Sequence, residues 1–279
     1  TRYIADHINL SSRGGESKKR GRGPTSAGPL ASLLDLPLSE LTPENIAAWL
    51  STERQNRPTV TAHAYRLLRA FIKWANYQKK YQGIIHGDIA QDHNVRKVVP
   101  VSASKAGDCL QKEQLKIWFS AVRSLNNPIA SAYLQVLLLT GARREEISSL
   151  RWSDIDFKWS SMRIKDKIEG ERIIPLTPYV SDLLRSLMEI PNRGTNEENR
   201  VFRSNSKSGK IIEPRSAHNR ALTRAELPHI SLHGLRRSFG TLAEWVEVPT
   251  GIVAQIMGHK PSALAEKHYR RRPLDLLRK

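Results

Sequence analysis

Residues 130–156, ASAYLQVLLLTGARREEISSLRWSDID, decide the fold. The apolar run 130–139 reads as a buried helix, because no polar face interrupts it. Thr140-Gly141 ends that helix, with glycine suited to the left-handed position that follows a last turn. Arg143 comes next, and a short helix places Glu146, three residues on, beside it. Asp154 and Asp156 then flank Ile155 in what reads as the first of several short strands. Residues 162–165 and 172–176 supply two more, separated by a polar turn with Lys167 and Gly170. A helix running into a strand meander predicts a mainly α chain with a small antiparallel sheet, an α+β fold.

Upstream, residues 1–10 predict a short helix. Residues 11–30 are a Gly/Ser/Pro stretch carrying Lys18, Lys19, Arg20 and Arg22, either a solvated loop or an arm that orders on phosphates. Thr42 before Pro43 marks a helix start, with Ile46, Ala47 and Leu50 on its apolar side. A longer helix is expected over 59–77. Val60, Ala64, Leu67, Leu68, Phe71 and Trp74 line one side of it, and Arg66, Arg69 and Lys73 the other, a face that reads equally as solvated or DNA-facing. The organisation that follows is a helical domain over 1–100, a linker over 101–109 and a second domain over 110–279. Within the last, helices are expected near 111–125, 179–188 and 214–227, and again beyond residue 232.

The 279 residues carry a net charge of +18 with a pI near 10.3. Residues 1–105 contribute +8 and residues 106–279 +10, so both halves are basic. A polyanionic partner follows, nucleic acid foremost. No apolar run reaches the roughly 18 residues of a membrane span. Cys109 is the one cysteine, which leaves no internal disulfide and no cysteine metal site, and fits a reducing, intracellular setting. The chain opens at Thr1 without a signal-like segment and reads as an excised piece lacking its native N-terminus.

The C-terminal part holds the densest chemistry: LHGLRRSF at 232–239, QIMGHK at 255–260 and AEKHY at 265–269. His233, Arg236, His259 and Tyr269 suit a phosphodiester. Arginines fork onto non-bridging oxygens, histidines transfer or donate protons, and a phenol can act as nucleophile. His-x-x-Arg spacing alone says little, since His63/Arg66, His93/Arg96 and His268/Arg271 repeat it. The pair 233/236 differs in lying on an amphipathic helix that puts both side chains on one face. A nuclease metal site at Asp154 and Asp156 is discounted, because no third acidic residue has matching context. A phosphate-binding Gly-x-x-x-x-Gly-Lys loop is absent.

Four stretches in order, LLLTGARREEISSLRWSDID (137–156), KDKIEGERIIPL (165–176), HGLRRSFGTLA (233–243) and IMGHKPSALAEKHY (256–269), resemble the tyrosine recombinase family, particularly phage-type integrases. The resemblance implies a helical core-binding domain before a catalytic domain. Matched residue by residue, it makes Arg143 and Arg236 the catalytic arginines, with Glu146 accompanying the first. His233 and His259 become the paired and late histidines, and Tyr269 the nucleophile. Lys167 matches the lysine on the turn between strands, with Lys165 the competing candidate. The ten-residue gap from His259 to Tyr269 is one longer than the family's usual spacing.

The implied activity is site-specific DNA recombination or integration through a 3′-phosphotyrosyl intermediate, with no metal, ATP or other cofactor. The implied partners are double-stranded recombination sites bound by a homo-tetramer, with accessory DNA-bending proteins as candidates. The implied location is a bacterial cytoplasm, the gene borne by a prophage or mobile element. A DNA-relaxing enzyme of the same chemistry and a catalytically inactive DNA-binding regulator are the alternatives.

Overall fold

The computed structural model describes residues 2–18, 21–81, 83–85, 87–101, 107–166, 170–190, 199–204, 209–211, 214–259 and 273–278. The chain divides into two compact units, Thr1–Ser104 and Lys105–Lys279.

The first unit is helical, with α1 at Arg2–Ser11, α2 at Pro43–Asn56, α3 at Pro58–Tyr77 and α4 at His93–Val98. The start of α2 follows from its sequence. Thr42 Oγ1 accepts the Asn45 N–H, and Pro43 occupies a position where a missing N–H costs nothing. Ile46, Leu50, Ala64, Ile72, Ala75, Ala90 and Val95 are fully buried and form the core. Two buried polar tips find carbonyls: Trp49 Nε1 donates to Pro29 O at 2.6 Å, and Tyr65 Oη to Ala90 O at 2.6 Å.

The apolar side of α3 is rotated from the sequence expectation. Its buried residues are Thr61, Ala64, Tyr65, Leu67, Leu68, Ile72 and Ala75. Val60 and Trp74 are exposed. Trp74 instead leans on Phe71 and Tyr81, with ring centroids 6.0 and 5.9 Å away. Ile72 and Tyr65 take the inward positions, the latter because its hydroxyl reaches Ala90.

The second unit holds α5 (Leu115–Arg123), α6 (Pro128–Thr140), α7 (Arg144–Ser148), β1 (Ile155–Asp156), β2 (Ser161–Asp166) and β3 (Gly170–Pro175). There follow α8 (Pro178–Met188), α9 (Arg215–Arg224), α10 (Leu232–Glu244), α11 (Thr250–Met257) and α12 (Leu274–Leu277). The sheet is antiparallel in the order β1-β2-β3, with Met162 opposite both Ile155 and Ile174 and Lys165 opposite Glu171. Met162, Ile164 and Ile174 point into the core, the period-2 burial of a one-sided sheet.

Helix α6 is the axis of this unit. Asn127 caps it, and Ala130 to Leu138 are all buried. Each buried Leu or Val contributes about 1.5–3 kcal/mol, and α6 carries four such residues, Leu134, Val136, Leu137 and Leu138. It ends at Gly141 (φ 57°, ψ 16°), where a Cβ would lie 2.4 Å from the Phe239 ring of α10. Glycine is required there twice over, by backbone conformation and by the approach of α10.

Candidate active site

Three helix ends and one strand build the site. At the start of α7, the Glu146 carboxylate accepts the Arg143 backbone N–H at 2.8 Å and the Arg143 guanidinium at 2.7 Å. Both bonds follow from the i, i+3 spacing across a first turn. The same carboxylate accepts Arg172 Nη2, from β3, at 2.8 Å. Glu146 is only 7% exposed. Burial alone would raise its pKa, but the hydrogen bonds from Arg172 and Arg143 outweigh this and hold it below the usual carboxylate value. Removing one partner of such a buried pair costs about 3–5 kcal/mol.

The last turn of α11 collects the arginines. Its carbonyls have no partner within the helix and carry the negative end of the helix dipole. Ile256 O accepts Arg172 Nε at 2.9 Å, Met257 O accepts Arg236 Nη1 at 2.8 Å, and Gly258 O accepts Arg143 Nη2 at 2.9 Å. Arg236, buried on α10, donates to Gly141 O as well. Gly258 is left-handed (φ 69°, ψ 47°), so the chain turns out of α11 and brings the His259 N–H onto Ala254 O at 2.9 Å. His259 is thereby placed on an exposed shoulder beside Arg143 and Arg236.

His233 lies one turn before Arg236 on α10, whose N-cap Ser231 accepts the Gly234 N–H at 2.9 Å. His233 and Arg236 line a cleft of about 450 Å³ with Ser231, His229, Arg144 and Arg215. Partial burial, then the fields of Arg237 and Arg236, lower the His233 pKa, with Asp108 opposing. Partial burial, then Arg236, Arg143 and Arg172, lower that of His259. Both imidazoles are therefore mainly neutral near pH 7 and able to accept a proton.

Of the sequence candidates, Arg143, Glu146, Arg236 and His259 are joined through hydrogen bonds and the end of α11, and His233 shares the cleft with Arg236. Lys167 and Tyr269 lie outside the described residues. Lys165 is exposed on β2. In the first unit Lys18, Arg22, Arg66, Arg69 and Lys73 are exposed, the last three along one side of α3, while Lys19 and Arg20 lie outside the described residues. Asp154 accepts the Arg151 N–H, and Asp156 those of Lys158 and Trp159, so both carboxylates serve local turns. Among the described residues no group of three His, Cys, Asp or Glu side chains is placed to hold a metal, and no helix is long and apolar enough to cross a membrane.

Sequence reasoning passed over two contributors. Arg172 served only to mark a strand, and nothing in its neighbours announces partners 84 residues away. Asp108, within the stretch read as linker, is buried. It accepts Ser231 N–H and Oγ–H, both at 2.7 Å, and Arg237 as well, anchoring the start of α10. A lone acid after Ala106-Gly107 gave no signal of that task.

Comparison with known proteins shows the family of the chain. Residues 1–97 match the phage integrase core-binding domain, and residues 109–273 match the phage integrase family. The chain is 90% identical over 279 residues to the prophage integrase IntF of Escherichia coli (strain K12), covering 100% of this chain and 60% of that protein. It is 27% identical over 212 residues to the tyrosine recombinase XerC of Corynebacterium efficiens, covering 73% of this chain and 65% of that protein. The chain thus spans less than two thirds of the length of either relative. A lambda integrase tetramer bound to a Holliday junction matches with a TM-score of 0.64 at 15% identity, over 94% of this chain and 71% of that one. The XerH site-specific recombinase bound to difH substrate matches with a TM-score of 0.64 at 16% identity, over 80% of this chain and 66% of that one. At these identities the likeness establishes the fold.

Proposed function

The chain belongs to the phage integrase family, and from that premise we propose that it is a site-specific DNA recombinase that cuts and rejoins strands through Tyr269. The carrying observation is that Arg143, Arg236 and His259, far apart in sequence, are tied to the consecutive carbonyls and the exit turn of one short helix.

Tyr269 attacks a DNA phosphodiester, forming a bond to the 3′-phosphate and releasing a 5′-hydroxyl. Bond energy is retained in the phosphotyrosine, so a second 5′-hydroxyl can displace it without ATP. Arg143 and Arg236 hold the non-bridging oxygens while negative charge builds in the transition state. Their anchoring to carbonyls supports this role, because pre-placed donors need no reorganisation during reaction. Ionising a free tyrosine beforehand would cost roughly 4 kcal/mol at pH 7. Proton removal during attack avoids part of that, and His233, kept neutral by partial burial and then by the nearby arginines, is the base. Lys167 protonates the departing 5′-oxygen, and His259 donates a hydrogen bond to the phosphate. Arg143, Arg236, Lys167 and His259 supply the positive charge and hydrogen bonding that the reaction requires.

Double-stranded recombination sites are the substrates, gripped through both basic units and assembled by four copies of the protein, with accessory DNA-bending proteins shaping the complex. The test is denaturing capture of protein-linked DNA from a library of nicked duplexes with randomised sequence. The wild type is expected to yield covalent adducts with enriched sequences, and Tyr269→Phe none. No adduct from the wild type, or equal adduct from the variant, contradicts the reading.

A further inference from the structure

Resting on the cleavage chemistry above, we propose that Arg172 is a positioning residue of the site, locking the end of α11, and so His259, to the Glu146–Arg143 pair and to β3. The side chain is 10% exposed and engages two elements at once: Nε holds Ile256 O at 2.9 Å and Nη2 holds Glu146 Oε2 at 2.8 Å. The other Glu146 oxygen holds Arg143 at 2.7 Å, and Arg143 in turn holds Gly258 O, two carbonyls beyond Ile256. These bonds close a ring from β3 to α11 to α7 and back to β3. A displacement of one member is felt by the others, since buried charged groups tolerate little loss of partners.

The lock matters because apolar packing holds α11 weakly. Of its eight residues only Ile252 and Met257 are buried, and its last turn is the part that delivers His259. Arginine–carbonyl bonds at that end replace the packing a longer helix would have. Arg172 is the third residue of β3, five residues after Lys167 in the sequence.

The guanidinium fork is essential to this arrangement. Nε and Nη2 sit on one planar edge and reach acceptors on separate elements, whereas the single nitrogen of lysine keeps the charge without the fork. Arg172→Lys is therefore the decisive variant, made in the full chain and probed with a nicked duplex recovered from wild-type adducts. Three quantities are measured: single-turnover cleavage at saturating DNA, Kd, and backbone amide exchange over residues 250–259.

Cleavage is expected to fall about 10- to 100-fold, the scale of a small misplacement of reacting groups. Kd should hold within about threefold, since contacts to the duplex remain in place. Exchange should rise at the end of α11 while α5 and α6 stay protected. Cleavage within about twofold of wild type with unchanged exchange overturns the proposal, on the same scale of misplacement. Exchange rising throughout α5 and α6 also overturns it, because Arg172 would then hold the core rather than the site. Should the wild type form no adduct on any duplex, the recombinase reading fails separately. The exchange comparison in DNA-free protein then decides the role of Arg172 alone.

Discussion

In the first unit Arg66, Arg69 and Lys73 stand exposed along α3, while in the second Arg236 is buried and the Arg172 side chain only 10% exposed, their donors directed at backbone carbonyls and at Glu146. Both units are basic by a similar margin, yet the charge is organised differently. Exposed cations on an apolar-backed helix act as point charges, strong toward a polyanion and dispensable one at a time. Buried arginines act through shape, because each bonds to a specific carbonyl and cannot move without breaking it. Basicity by itself therefore does not locate catalysis; the partners of each cation do.

The largest effect is expected where a buried arginine is also the one proposed to hold the phosphate. Arg236→Lys should lower adduct formation at saturating DNA by about 10²–10³-fold, the cost of losing one preorganised donor. DNA affinity should change little, and single-turnover cleavage alongside fluorescence anisotropy checks both. Equal losses in the two would erase the distinction between the regions.

Gly141→Ala should act next most strongly, through the backbone that accepts from Arg236. A Cβ there meets Phe239 at 2.4 Å, and φ of 57° is strained for any L side chain. Loss of about 1–3 kcal/mol of stability is expected from that strain and overpacking. Denaturant unfolding would register it, with cleavage by the folded fraction falling as α10 shifts.

The smallest single effects belong to α3. Arg66→Gln, Arg69→Gln and Lys73→Gln should each weaken binding several-fold and reduce the slope of log affinity against log salt by about 0.9 per phosphate contact. Cleavage at saturating DNA should be unchanged. A catalytic loss from any of the three would show that the helical unit contributes more than grip.

Much of this fold was legible because helices announce themselves over many residues. The unbroken apolar run before Gly141, the Thr42-Pro43 start and the period-2 strands each rest on local physics that tertiary packing left in place. Trp74 was misread because the inward stripe of α3 is set by what covers it, and Tyr65 won an inward position through one hydrogen bond to Ala90. The Arg143–Glu146 pair was legible, since its spacing is local. Arg172 was not: its acceptors include the Ile256 carbonyl, and a backbone carbonyl leaves no mark in a sequence. Asp108 was hidden likewise, its role defined by the Ser231 N–H and hydroxyl that only folding brings near.

The covalent link between Tyr269 and DNA is the most direct test of the proposed chemistry. Protein–DNA adducts trapped on a nicked duplex can be digested with protease and nuclease, and the nucleotide-bearing peptide sequenced by mass spectrometry. The expected result is a single modified residue, Tyr269, joined to a 3′-phosphate, with the opposite strand end a free 5′-hydroxyl. A nucleotide on any other residue, or a 5′-phosphate link, would contradict it.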